Sequence, residues 1–203
     1  MRFTSIFVSV LSWTAIVSGR FIVRTPDQPQ GLPSDYSVAN LTWKGRIVDN
    51  GPEVSLTGTS FKDIESQILK VNPKFSWADP STGGDHSEPQ KSKAYLSCDP
   101  NNIWWAQAFR IQDGIQYLSG KTGKCFMEKG PRVCTRISCS YKSAIWWCND
   151  NHFPIEENCL LWSHYAQDIL DQCQTHDASS RVRGQEFSTS NWNIMVGFSN
   201  DHC

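Results

Sequence analysis

The stretch ISCSYKSAIWWCND, residues 137–150, decides the fold class, because it contains two short strands separated by a polar turn. Residues 137–139 and 144–148 are rich in β-branched, aromatic and cysteine side chains, which favour strands. Neighbouring side chains on a strand point to opposite faces, so Trp146 and Trp147 cannot both enter a core on one side of a sheet. We therefore expect one of them to pack against helices and the other to face outward or toward the N-terminal part of the chain.

Helices and a further strand flank this hairpin. Residues 106–118 and 160–173 carry apolar side chains at helical spacing, and each segment predicts one helix. Residues 191–198 predict a strand with Trp192 and Met195 on opposite faces. The order helix, strands, helix, strand predicts an α+β fold, a small disulfide-stapled sandwich of an antiparallel sheet with two helices.

The N-terminal half contains no cysteine and predicts a smaller segment ahead of this sandwich. The divisions that we predict are a signal peptide over 1–19, a flexible leader over 20–39, a small segment of strands plus a helix over 40–77, a linker over 78–92 and the cysteine-rich α+β domain over 93–203. In the 40–77 segment, Phe61, Ile64, Ile68 and Val71 fall on one face of the predicted helix. Since paired basic residues are missing near the linker, retention of the N-terminal part is favoured over its removal as a pro-segment.

The first residues are typical of an export signal. Arg2 precedes an apolar run over residues 6–17, and the small residue Gly19 suits cleavage after it. No later stretch approaches the roughly 20 apolar residues that a spanning helix needs. We therefore expect a secreted, extracellular protein without stable membrane insertion, and a monomer.

Eight cysteines lie in the second half of the chain, and in an exported protein an even number predicts a disulfide framework. They are Cys98, Cys125, Cys134, Cys139, Cys148, Cys159, Cys173 and Cys203. The sequence leaves their pairing open. Their spacing offers no two close pairs and no His-Cys cluster, so structural zinc is disfavoured. We expect no metal and no cofactor.

Charge and sequence motifs narrow the class of partner. The 19 Lys and Arg residues nearly balance the 20 Asp and Glu residues, giving a formal net charge of −1 at pH 7. A chain this close to neutral lacks the concentrated basic face that nucleic acids need, so we expect no nucleic-acid partner. Asn40 begins the only N-glycosylation acceptor sequence, Asn-Leu-Thr, and is expected to be exposed.

The C-terminal half also resembles a known class of proteins. The residues that carry the resemblance are Cys98, 111–115, Gly123 with Cys125, 137–139, 144–150, 184–187, 193–196 and Cys203. This pattern resembles small secreted cysteine-rich proteins of filamentous ascomycetes, many of them candidate effectors. It is similar, more weakly, to the fungal necrosis-inducing-factor effector domain and to the killer-toxin fold. The killer toxins have more cysteines in a different pattern, so their channel-blocking activity does not transfer to this chain.

The resemblance implies a non-enzymatic effector or toxin-like protein that binds an extracellular host or competitor protein. A cell-wall carbohydrate-binding protein is the alternative, because exposed aromatic rings suit sugar rings as well as protein pockets. The candidate binding surface comprises Trp104, Trp105 and Trp146. For each tryptophan the competing interpretation is burial in a small core, where its large area is stabilising.

A secreted hydrolase is the third possibility, and we assign no catalytic residue. The residues considered for a ribonuclease are His152, Glu156, Glu157 and Arg136. For a glycosidase, Glu186 would need Asp150 or Asp168 as its partner carboxylate. Nothing in the sequence places these groups together, and no phosphate loop, nucleophile elbow or metalloprotease motif is present.

Overall fold

The computed structural model describes residues 31–77, 92–200 and Cys203, and these residues form twelve strands and three helices. The strands are β1 (Ser37–Val38), β2 (Leu41–Arg46), β3 (Glu53–Gly58), β4 (Lys93–Ser97), β5 (Ala106–Gln107), β6 (Lys124–Met127), β7 (Val133–Ser140), β8 (Ser143–Asn149), β9 (Ile155–Asn158), β10 (Arg181–Val182), β11 (Gly184–Ser188) and β12 (Trp192–Phe198). The helices are α1 (Phe61–Val71), α2 (Ala108–Ser119) and α3 (Leu161–Cys173). The predicted signal peptide, the first part of the leader and nearly all of the linker lie outside the described residues.

The larger sheet has six strands in the order β1-β7-β8-β12-β11-β4. All its neighbours are antiparallel except β1, which runs parallel to β7. The predicted hairpin is β7–β8, and the predicted C-terminal strand, β12, pairs with β8 along seven residues. Helices α2 and α3 pack together on one face of this sheet. The predicted α+β class with two helices on an antiparallel sheet is confirmed.

A second sheet joins the two halves of the chain. Its order is β3-β2-β6-β9, so two strands come from the 40–77 segment and two from the cysteine-rich region. Trp43 on β2 lies opposite Cys125 on β6, and both side chains are buried. The 40–77 segment therefore completes its sheet with strands of the cysteine-rich region.

Helix α1 begins at a serine that caps its first turn. The Ser60 hydroxyl accepts a hydrogen bond from the Asp63 amide at 3.2 Å, and the Asp63 carboxylate accepts one from the Thr59 amide at 3.1 Å. Phe61, Ile64 and Ile68 are buried as predicted. Val71 is exposed instead, because the last turn of the helix extends past the core that its first two turns cover.

Aromatic rings connect the two sheets through α3. The Trp162 ring centroid lies 4.9 Å from that of Trp147 on β8 and 5.3 Å from that of Phe61 on α1. All three rings are buried, and Trp192 on β12 adds an edge contact to Trp147. Trp147 is therefore the tryptophan of the adjacent pair that packs against helices.

Trp146 lies on the opposite face of the six-stranded sheet and is only 2% exposed. It clusters with Leu32, Ile103 and Met195, which cover this face. The expectation that Trp146 belongs to an exposed binding surface is therefore wrong. The reason is that part of the chain assigned to the flexible leader, residues 31–39, lies against the sheet and supplies both Leu32 and β1.

All eight cysteines pair, as predicted. The disulfides are Cys98–Cys173, Cys125–Cys159, Cys134–Cys148 and Cys139–Cys203. The first attaches the end of α3 to the residue after β4, and the last attaches Cys203 to β7. Four disulfides are typical of secreted or extracellular proteins. None of the helices in the described residues has the length and apolarity needed to span a bilayer.

Trp146 is buried and Trp104 is exposed, so replacing each by alanine should affect stability differently. Trp146→Ala should lower the free energy of unfolding by about 3–5 kcal/mol, because it empties a packed cluster. Trp104→Ala should change it by less than about 0.5 kcal/mol, because that side chain is exposed. Urea unfolding of the oxidised proteins measures both values. Equal destabilisation by the two substitutions would contradict the assignment of Trp146 to the core.

Candidate binding surface

Trp104 stands at one end of the six-stranded sheet with 65% of its surface exposed. Its carbonyl accepts a hydrogen bond from the Phe198 amide at 2.9 Å, which fixes the backbone beside the end of β12. The two rings lie within 29° of parallel, with centroids 6.0 Å apart. Phe198 therefore supports the Trp104 ring from the protein side.

Trp105 is half-buried and is contacted by two arginines. The guanidinium carbons of Arg183 and Arg181 lie 4.6 Å and 5.7 Å from its ring centroid, within cation–π range. Arg183 also donates to the Ile103 carbonyl at 3.2 Å and pairs with Asp99. Strand β10 brings Arg181 here by pairing with β5, which follows Trp105 directly.

Tyr141 occupies the tip of the β7–β8 hairpin and is 68% exposed. Tyr141 and Lys142 have φ of +46° and +63°, the left-handed pair that two-residue hairpin turns of type I′ require. The Arg110 guanidinium lies 3.9 Å from the Tyr141 ring centroid and 4.6 Å from that of Phe109. Arg110 thus contacts two exposed rings, those of Tyr141 and Phe109.

Backbone contacts bring these side chains to the same end of the molecule. The Gln107 amide donates to the Ser143 hydroxyl at 3.2 Å, and Ser143 lies opposite Phe198 in the sheet. We call this set the aromatic–arginine surface: Trp104, Trp105, Phe109, Arg110, Tyr141, Arg181 and Arg183. The structure therefore brings the predicted Trp104 and Trp105 together with five residues that the sequence analysis missed.

The surface combines the side chains that dominate protein interfaces. Tryptophan, tyrosine and arginine are enriched among residues that carry most of the binding free energy. Salt bridges hold two of its arginines, Arg110 with Asp113 at 3.3 Å and Arg183 with Asp99. Ring contacts and ion pairs therefore position the guanidinium groups before any partner arrives.

A cavity of about 530 Å³ lies beside this surface, between α1, α2 and β7. Its lining includes Ser60, Lys62, Glu65, Asp113, Gly114, Tyr117, residues 136–140 and Cys203. We call it the β7 cavity. Gly114 allows α2 to approach β7 closely, since a Cβ there would lie 2.7 Å from the Ser138 hydroxyl oxygen. Asp113 belongs to the cavity and also binds Arg110, so the cavity adjoins the aromatic–arginine surface.

A buried ion pair borders the β7 cavity. Glu65 on α1 accepts hydrogen bonds from the Trp77 indole and the Tyr117 hydroxyl, each at 2.5 Å, and pairs with Lys121. The Lys121 side chain is only 4% exposed, and its ammonium nitrogen lies 3.8 Å from the Tyr117 ring centroid. Burial alone would raise the pKa of Glu65, but the hydrogen bonds from Lys121, Tyr117 and Trp77 outweigh it and lower that pKa.

Burial also shifts the pKa values of Lys121 and Tyr117, the two side chains that bind Glu65. Burial lowers the pKa of Lys121, although the carboxylate of Glu65 opposes this shift. Burial and the same carboxylate both raise the pKa of Tyr117. At neutral pH, Glu65 is therefore ionised and Tyr117 is a hydrogen-bond donor.

Two of the carboxylates considered for a glycosidase, Glu186 and Asp168, form ion pairs with the same lysine. Lys93 binds Glu186 at 3.0 Å and also pairs with Asp168. Asp150 lies on the other face of the sheet, where it accepts from Asn193 at 2.7 Å. The Glu186–Asp168 pair is thus joined through a shared cation, and Asp150 is separated from it by the sheet.

The groups considered for a ribonuclease occupy different surroundings. His152 is exposed in the loop after β8, and Glu156 binds Lys44 at 2.6 Å. Glu157 accepts from the Trp192 indole at 2.8 Å, and burial raises its pKa. Arg136 lines the β7 cavity. Each carboxylate therefore has a structural partner of its own.

Asn40 is exposed between β1 and β2, in a position that a glycan can occupy. Within residues 31–77 and 92–200 and Cys203, no group of three or more His, Cys, Asp or Glu side chains is arranged to hold a metal ion. Comparison of the chain with models of protein families, with curated proteins and with solved structures gave no match.

The buried ion pair gives a pH-dependent prediction. Glu65→Gln leaves the Lys121 charge without its counter-ion and should cost about 3 kcal/mol of unfolding free energy at pH 7. Because folding lowers the pKa of Glu65, its contribution is present above the ordinary value of 4.5 and is lost as the pH falls through the lowered value. The difference between wild type and variant should therefore vanish in acid.

Urea unfolding between pH 2 and 7 measures this difference. The double variant Glu65→Gln with Lys121→Met is the control, since it removes both charges and should recover much of the lost stability. A pH-independent difference, or a double variant less stable than the single one, would contradict a stabilising ion pair.

Proposed function

We propose that this protein is a secreted effector or toxin-like protein that acts by binding an extracellular protein of a host or competitor. Four disulfides support an exported protein with a rigid scaffold. An N-terminal signal peptide over residues 1–19 and a glycan on Asn40 belong to the same proposal.

The aromatic–arginine surface carries the proposal. Trp104, Phe109 and Tyr141 expose more than half of their surfaces, although Trp104 packs on the Phe198 ring and the other two contact the Arg110 guanidinium group. Exposed aromatic anchors with fixed neighbours lose little conformational entropy on binding and fill pockets on a partner protein.

The arginine contacts favour a protein over a polysaccharide as partner. Two guanidinium groups contact Trp105, and a third lies over Tyr141. A sugar ring stacks on an open aromatic face, whereas a protein partner can use both the rings and the cations through carboxylates and apolar pockets. The proposed target therefore presents an apolar pocket with acidic groups nearby.

The test is electrolyte leakage from leaf tissue of several plant species infiltrated with purified protein. Oxidised wild type should cause leakage, and reduced and alkylated protein should not. Trp104→Ala and Tyr141→Ala should each weaken target binding at least about 30-fold, equivalent to about 2 kcal/mol, and raise the effective dose accordingly.

Phe153→Ala is the matched control for this experiment. Phe153 is also an exposed aromatic, at 60%, but it lies beyond the opposite end of β8 from Tyr141. It should leave leakage unchanged. Equal activity of all three variants, or of the reduced protein, would contradict binding through the aromatic–arginine surface, and no leakage in any species would count against a toxin.

Cell-wall carbohydrate binding is the second candidate, and the open outer side of Trp104 favours it. The carbohydrate proposal predicts retention on insoluble chitin or glucan, measured by co-sedimentation. Trp104→Ala should abolish retention, whereas Trp105→Ala should reduce it less, because arginines already contact that ring. Retention that survives Trp104→Ala would contradict this alternative.

A further inference from the structure

A short segment that ends in β1 crosses the outer face of the six-stranded sheet and reaches the aromatic–arginine surface. We call residues 31–38 the strap. Its last two residues form β1, which pairs with β7 from Val133 onward, and its first residue, Gly31, lies against Phe198. These contacts are at opposite ends of β8, whose first residue is opposite Phe198 and whose last is opposite Val133. The strap therefore spans the length of this strand.

The β1 end of the strap is held by contacts that do not involve Gly31. Arg132 forms an ion pair with Asp35 at 2.6 Å, and its carbonyl accepts a hydrogen bond from the Ser37 amide at 2.9 Å. The Tyr36 side chain is hydrogen-bonded to Asp150. Burial raises the pKa of Tyr36 to about 12, so its hydroxyl stays protonated at neutral pH. This end is anchored by charge and hydrogen bonds.

Leu32 packs the strap into the core cluster on the outer face of the sheet. It is buried in the same cluster as Trp146 and Ile103. Ile103 directly precedes Trp104, and its carbonyl accepts a hydrogen bond from Arg183 at 3.2 Å. The cluster that holds the strap thus includes the residue from which the chain enters the aromatic–arginine surface.

Gly31 lies against the backbone segment that ties two parts of that surface to the sheet. A Cβ at Gly31 would overlap the Phe198 carbonyl oxygen and lie 3.0 Å from the Ser199 Cα, and its φ of +128° favours glycine. The Phe198 amide donates to the Trp104 carbonyl at 2.9 Å. The Ser199 amide donates to the Lys142 carbonyl, in the tip of the β7–β8 hairpin, at 2.8 Å. The strap therefore packs on the two residues that bond both the Trp104 loop and the hairpin tip.

We infer that the strap positions the Trp104 ring through Phe198, so that the aromatic–arginine surface binds its target only with residues 31–38 in place. This inference deepens the proposed binding function and rests on it. Closely packed groups transmit a displacement to their neighbours, so a strap that moves away from Phe198 loosens the ring and the backbone that support Trp104. A looser ring loses more conformational entropy on binding. Gly31 and Leu32 act here as positioning residues.

The first test is Gly31→Ala in the oxidised full-length protein, followed by amide hydrogen exchange measured by NMR. The added Cβ displaces the strap, so the Phe198 amide should exchange at least about tenfold faster. The Asp150 amide, which donates to the Asn191 carbonyl at 3.1 Å at the other end of the sheet, should keep its wild-type rate. Gly120→Ala is the matched control and should change neither rate, because the nearest atom to a Cβ there is 3.9 Å away.

A second pair of variants tests the strap without straining its backbone. Leu32→Ala removes the buried side chain and should also accelerate exchange at the Phe198 amide more than at the Asp150 amide. Val38→Ala is its control within the strap, since the Val38 side chain is 44% exposed, and it should leave both rates unchanged.

The leakage assay connects the strap to binding. Gly31→Ala should raise the effective dose at least about tenfold, because Trp104 is no longer held for binding. In a Trp104→Ala background the same substitution should raise the dose by less than about threefold, because most of its effect passes through the Trp104 ring. A full tenfold rise in that background would overturn the inference.

The exchange rates separate this inference from the proposed function. Unchanged exchange at the Phe198 amide in Gly31→Ala and Leu32→Ala, or equal acceleration at the Phe198 and Asp150 amides, would overturn the inference. Leakage that depends on Trp104 but not on Gly31 would overturn the inference alone. The predicted exchange pattern without leakage in any species would contradict the toxin proposal alone.

Discussion

The packing of Trp162 between Trp147 and Phe61 is the contact on which the rest of the structure depends. Trp147 belongs to the six-stranded sheet, Phe61 to the helix that packs beside the four-stranded sheet, and Trp162 to α3 between them. Disulfides hold α3 at both ends, since Cys159 lies two residues before it and Cys173 is its last residue. Because a segment as small as 40–77 cannot bury a core by itself, these contacts stabilise it through the cysteine-rich region.

This scaffold explains how exposed aromatic side chains remain ordered. Trp104, Phe109 and Tyr141 come from a loop, a helix start and a hairpin tip, all of which are tied to the same sheet end. Arg110 spans two of the rings, so its guanidinium group loses little further freedom when a partner binds. Folding thus bears most of the entropic cost of ordering this surface.

Local patterns predicted the helices and the β7–β8 hairpin, because apolar periodicity and strand alternation are properties of neighbouring residues. Strands β6 and β9 were not predicted. The sequence of β9, Ile-Glu-Glu-Asn, has no strand pattern of its own, and its extended form depends on pairing with β6. Alternation placed Trp146 and Trp147 on opposite faces but could not reveal that Leu32 covers Trp146. The sequence predicted only part of the aromatic–arginine surface, because its residues are distant in the chain. Trp105 and Arg181 meet through the pairing of β5 with β10, which a local sequence pattern does not predict.

The Glu65 network lies between the two helices that wall the β7 cavity. Glu65 belongs to α1 and bonds Tyr117 on α2 and Lys121 just beyond it, so the two helices that wall the cavity are joined by directional contacts. The Glu65 carboxylate accepts three hydrogen bonds, and such directional contacts fix the relative position of the two helices more closely than an apolar contact would. Burying Lys121 costs desolvation free energy that packed apolar side chains would avoid. The structure retains this cost at the border of the β7 cavity, where Glu65 and Tyr117 are also lining residues.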